Sequence, residues 1–169
     1  DGFEGAPAIT VDGPEVASYW SDLGQTWTIM DNYIMPNPIC RWAHASLDAL
    51  GAVMQTHGLS NADISRVDVT TFAQAAALYA GVPDTTSQAQ YSLPFALAVR
   101  MVHGAIGPAH ITAQGLRDPD VAAALSKITV QEDARHSNRF PLGRWSDVTV
   151  HTTAGKQFHS GDGHARGGP

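Results

Sequence analysis

The chain has 169 residues, 43% of them hydrophobic, with ten basic against sixteen acidic side chains and a formal charge of −6. That length suits one domain around a single core, and the lack of any basic run excludes the usual nucleic-acid surface, which needs clustered Lys and Arg. One cysteine excludes an internal disulfide framework, the apolar stretches are too short and interrupted to span a bilayer, and a cytoplasmic setting is the default.

Residues 1 to 13 are rich in Gly and Pro and read as loop. The chain opens without methionine and closes on Gly167-Gly168-Pro169, so it reads as a piece of a longer one. Pro14 to Trp20 suits a short helix, and the β-branched and aromatic Gln25 to Met30 predicts a strand. Pro36 and Pro38 disfavour helix before Ile39. Apolar residues at Ala43, Leu47, Leu50, Val53 and Met54 then predict a helix over about 42–57, stopped by Gly58. Ser60 to Asp63 reads as a turn, and Arg66 to Phe72 alternates as a strand does. Ala73 to Tyr79 suits a short helix closed by Gly81 and Pro83. Thr85 to His103 is helical in pattern but holds Pro94, so a helix either starts near Ser92 or is two segments meeting there. Asp118-Pro119 opens another helix reaching about Ser126. Ile128 to Gln131 is strand-like, and Asp147–Thr152 with Gln157–His159 frames a hairpin about Ala154-Gly155. The order predicts an α+β fold over 1–169: one domain, with a small mixed or antiparallel sheet covered by helices. No phosphate-binding glycine motif occurs.

The chemistry concentrates in two segments. Arg41, His44 and Asp48 open the helix at 42–57, where free N–H groups and the helix dipole favour an anion and Arg41 adds a fork suited to a carboxylate. His44, with an ordinary pKa of about 6.5, is suited to proton transfer, and Asp48 one turn on is placed to orient its ring. The plainer reading is a solvated arginine, a core tryptophan at Trp42 and a local His–Asp pair. Gln90, Tyr91 and Ser92 stand at the next loop-to-helix junction and offer donors to a carboxylate; a packed tyrosine is the plainer alternative. His151, His159, Asp162 and His164 bunch near the end of the chain, but their spacing matches no zinc pattern, so no metal is expected. Cys40 near His44 lacks any supporting nucleophile motif.

Taken together, Pro36-x-Pro38-x-Cys40-Arg41-Trp42-x-His44-x3-Asp48-Ala49 and Ala89-Gln90-Tyr91-Ser92-Leu93-Pro94-Phe95 resemble the C-terminal domain of the MmgE/PrpD family. Phe3-Glu4-Gly5, Asp118-Pro119-x-Val121 and the terminal hairpin match in the same order. That family includes 2-methylcitrate dehydratase, cis-aconitate decarboxylase and iminodisuccinate epimerase. The resemblance implies a lid domain paired with an N-terminal helical domain absent from this chain, a homodimer, no cofactor, and a di- or tricarboxylate held between the domains. It implies catalytic roles for His44 and Tyr91, with Arg41 and Asp48 on the substrate; Gln90 and Ser92 join them as substrate-binding candidates from the reading of their junction. Where relatives often carry Lys-Pro-Tyr-Pro this chain has Met35-Pro36-Asn37-Pro38, which lacks a cation and a phenol and implies a less charged acid or lost chemistry. A non-catalytic anion-binding or assembly module, and an isomerase or inactive relative of the same family, are the alternatives.

Overall fold

The alternating segment around Val67 becomes β1 (Ile64–Thr71), the strand on which the sheet is organised. In the computed structural model, residues 20–168 are described. They divide into a smaller unit, residues 20–33 with 168, and a larger unit, Ile34–Gly167.

In the larger unit the order is α1 (His44–His57), β1, α2 (Ala73–Ala76), α3 (Thr86–Gln90), α4 (Leu93–His103), α5 (Pro119–Leu125), β2 (Ile128–Glu132), α6 (Ala134–Ser137), β3 (Trp145–Thr152), β4 (Gln157–His159) and β5 (Gly163–His164). The sheet runs β2-β1-β3-β4, with β5 also on β3; β1 is parallel to β2, and the other pairs are antiparallel. This is the α+β arrangement with a mixed sheet that the element order predicts.

The two faces of the sheet divide by pattern. Val67 and Val69 of β1 and Val148 and Val150 of β3 are buried with Leu47, Leu50 and Val53 of α1 and Leu97 of α4. The alternate positions carry polar pairs, Asp68 with His151 and Thr70 with Asp147, as expected for a strand with one face on the core. Trp42, edge-on to Phe72 and Phe140 at 6.2 and 6.1 Å, is half-buried and packs against the core, close to the plainer reading.

Local chemistry sets the boundaries. A 3-10 turn, Arg41–Ala43, precedes α1, and Gly58 ends it at φ +60°, with Leu59 N–H returning to the Met54 carbonyl at 2.9 Å. At Pro94 the second alternative holds: α3 stops at Gln90 and α4 starts anew, capped by Ser92 with Pro94 in its first turn. Ser60 and Asp63 form a capping box around the turn at 61–63.

The smaller unit corrects one expectation. Within Gln25–Met30 no strand forms; Thr28–Asp31 winds into a 3-10 turn, and Trp27, Ile29 and Met30 are exposed. β-propensity measures how a side chain fits a half-buried pleated surface, and these residues meet none. The helix expected over 14–20 lies outside the described residues, apart from Trp20. The short α6 and two-residue β5 carry no periodic signal and were not anticipated from sequence.

Candidate functional site

Two distant segments are joined by one main-chain bond. The Cys40 N–H donates to the Gln90 carbonyl at 2.7 Å, which sets the entry to α1 against the end of α3. A cleft of about 310 Å³ lies there, lined by Met35, Pro38, Ile39, Cys40, Arg41, Gln90 and Tyr91. That volume is at the small end for ligand sites and suits a compact acid. Arg41, Gln90 and Tyr91 are thus brought together in one cleft wall, with Tyr91 55% exposed and its ring available to a ligand.

His44 is the first residue of α1, fully buried, and behind the cleft rather than in its lining. Its Nδ1 is 3.1 Å from the Cys40 carbonyl. A carbonyl only accepts, so Nδ1 carries the proton of the neutral ring, and Nε2 is left as a buried acceptor with no hydrogen-bond partner. Burial holds the pKa below its ordinary value and outweighs the Cys40 carbonyl and the Asp48 charge, which favour the cation; the Arg41 charge adds to the lowering. The ring is a neutral base by environment.

Asp48 does not orient that ring by hydrogen bonding. Its two oxygens accept from Nε and Nη2 of Arg166 at 2.8 and 2.6 Å, and it acts on His44 only through its charge. Ser92 does not line the cleft either; it is buried, and its hydroxyl accepts from the Phe95 N–H at 3.2 Å as the cap of α4. Cys40 does line the cleft, but burial pushes its thiol pKa up against the Trp42 N–H, opposite to what a nucleophile needs.

The bunched histidines disperse. His151 bonds Asp68, His159 bonds Thr149, and His164 packs on Trp145. A different group, His136, Asp147 and Asp162, brings candidate ligand atoms within 4.8 Å of one another. Arg135 already donates to both carboxylates at 2.6 Å, and His136 Nε2 and Thr70 also bond Asp147, so these donors are spent on protein partners. No helix among the described residues is long and apolar enough to cross a membrane.

Sequence reasoning missed Arg166. Its partner Asp48 is 118 positions away, and its own surroundings, Ala165 and Gly167, give no signal of that contact.

Comparison with curated proteins returns no match. The family model described as the MmgE/PrpD C-terminal domain matches residues 38–169, a span that starts within the cleft wall and takes in Arg41, His44, Gln90 and Tyr91. On that match the chain belongs to the MmgE/PrpD family, as its C-terminal domain.

Proposed function

We propose that this domain forms part of the substrate site of a cofactor-independent lyase, a dehydratase or decarboxylase acting on a di- or tricarboxylate such as 2-methylcitrate or cis-aconitate. The observation that carries the reading is the cleft with Arg41 and Tyr91 in its wall and the neutral His44 ring one helical turn from Cys40. Arg41 supplies a permanent charge and a planar fork for a carboxylate. The Tyr91 phenol supplies a donor to a carboxylate or a leaving hydroxyl. His44 Nε2 accepts a proton from the carbon beside a carboxylate; in dehydration the carbon–oxygen bond then breaks, and the departing hydroxide leaves as water after taking up a proton. The reading includes an N-terminal helical domain that completes the site, a homodimer and a cytoplasmic setting.

The test is turnover of protein carrying both domains on citrate, 2-methylcitrate, cis-aconitate and iminodisuccinate, following the double bond or released carbon dioxide. His44→Ala should lower kcat by roughly 10²- to 10⁴-fold, the usual worth of a general acid–base group. Near-unchanged turnover removes that role, and inactivity of the wild type on all four acids removes the substrate class.

Met35 in the cleft wall favours a second reading. An apolar side chain where relatives often carry lysine suits a less charged acid, or an anion-binding module without turnover. Activity gained in Met35→Lys on a tricarboxylate separates a retuned enzyme from a module that has no chemistry.

A further inference from the structure

The loop 34–41, which supplies five of the cleft residues, does not hold its shape by itself. Beyond β5, the segment 163–167 runs from the sheet to this loop. Its start is fixed: His164 and Gly163 pair with Trp145 and Ser146, Ala165 is buried with its N–H on the Arg144 carbonyl at 3.3 Å, and the His164 ring lies 5.2 Å from Trp145. The next residue, Arg166, reaches α1 and grips Asp48 with two parallel bonds, the geometry in which an arginine fork fixes orientation as well as distance.

Two successive carbonyls then meet the two ends of the loop. Arg41 Nη1 donates to the Arg166 carbonyl at 3.2 Å, and the Ile34 N–H donates to the Gly167 carbonyl at 2.8 Å. Between those points lie Met35, Pro38, Ile39 and Cys40, all in the cleft wall. Gly167 has φ +89°, and a Cβ there would stand 2.0 Å from the Ile34 carbonyl oxygen, a main-chain atom with no freedom to swing away. Close approach of strap and loop therefore requires glycine.

We propose that residues 163–167 act as a strap that shapes the cleft, with Arg166 and Gly167 as positioning residues for the loop 34–41 and for the Arg41 guanidinium. The consequence for ligand binding rests on the carboxylate reading given above; the shaping of the loop does not.

The test uses the 169-residue chain with Arg166→Ala, Arg166→Lys and Gly167→Ala. Amide exchange is read at Ile34, labelling by an aromatic disulfide is read at Cys40, the single cysteine, and binding is read by titration with citrate. Arg166 is 71% exposed at its side chain, so Arg166→Ala is expected to fold, and the pair it removes is of the weak, salt-screened kind. Ile34 exchange and Cys40 labelling should quicken by about fivefold in Arg166→Ala, and by at least as much in Gly167→Ala, with an intermediate value in Arg166→Lys and unchanged helical signal. Citrate affinity should fall by a similar factor in Arg166→Ala and Gly167→Ala.

Unchanged exchange and labelling in both folded variants overturns the strap. Changed exchange with unchanged citrate affinity overturns the positioning of Arg41. Changed exchange in a chain whose wild type binds no citrate sustains the strap, and the titration is then read on protein carrying both domains, where absence of citrate binding removes the carboxylate reading.

Discussion

The Phe95 N–H donates to the Ser92 hydroxyl at 3.2 Å, which makes Ser92 the cap of α4 beneath the cleft. A capping hydroxyl satisfies one of the free N–H groups of the first turn. Ser92→Ala should therefore destabilise the chain by about 1 kcal/mol, measured by urea unfolding, while leaving KM for a carboxylate within a factor of about two. A large rise in KM at unchanged stability would return Ser92 to the substrate.

Arg41 and Met35 line one cleft with different electrostatics, the first a cation and the second a neutral thioether. Loss of a charged hydrogen-bonding group is worth a few kcal/mol, so Arg41→Ala should raise KM about tenfold or more, with a smaller change in kcat. Met35→Lys should lower KM for tricarboxylates more than for dicarboxylates. Steady-state kinetics on paired acids of different charge checks both.

His44 gives the stability a definite pH dependence. In the folded chain burial, reinforced by the Arg41 charge, holds its pKa below the ordinary 6.5. Between those two values the unfolded chain binds a proton that the folded chain refuses, so stability is complete above pH 6.5 and is lost as pH falls through that window. His164, lowered by burial and by the Arg41 and Arg144 charges, acts in the same direction. His44→Gln should flatten the fall in urea midpoint between pH 7 and about pH 5. The lowered carboxylates, Asp63, Asp118, Asp147 and Asp162, act from 3.8 downward and leave this window untouched. Equal slopes in both proteins would mean that the ring is not protected by burial.

Asp147 is the carboxylate on which the far side of the sheet depends. Burial alone would raise its pKa, but hydrogen bonds from Thr70 and His136 and the Arg135 charge outweigh it and keep it ionised. Asp147→Ala strips three donors of their acceptor and should cost about 3–5 kcal/mol. Arg66→Ala breaks an exposed pair with Asp68 and should cost about 1 kcal/mol or less. Chemical denaturation of the two variants side by side tests the contrast.

What sequence conveyed follows the range of each force. α1 was legible because its signals are adjacent: two prolines before it, apolar positions at helical spacing, and Gly58 after it. The break at Pro94 was legible for the same reason. The strand expected at 25–30 failed because propensity says nothing about whether a partner strand exists. At the site, Arg41, Gln90 and Tyr91 were legible as candidates because motifs mark them locally, and they share one cleft wall. The role given to Asp48 was misread, because a carboxylate four residues from a histidine looks like its partner until Arg166 arrives from the other end of the chain. Ion pairs across a fold leave no spacing behind.

The strand order places β1 in the interior of the sheet, between β2 and β3, and both neighbours come from far along the chain. No short hairpin can nucleate around it; the local hairpin, β3 with β4, lies beyond it. Contacts of such high separation make the search for the native topology slow, because large loops must close before the pairing rewards them. The loop 34–41 and the end of α3 meet over a core that this late pairing completes. A nascent chain therefore has both halves of the cleft long before it has the cleft, and a product ending ahead of Trp145 would carry Arg41 and Tyr91 without the strand that packs α1 in place.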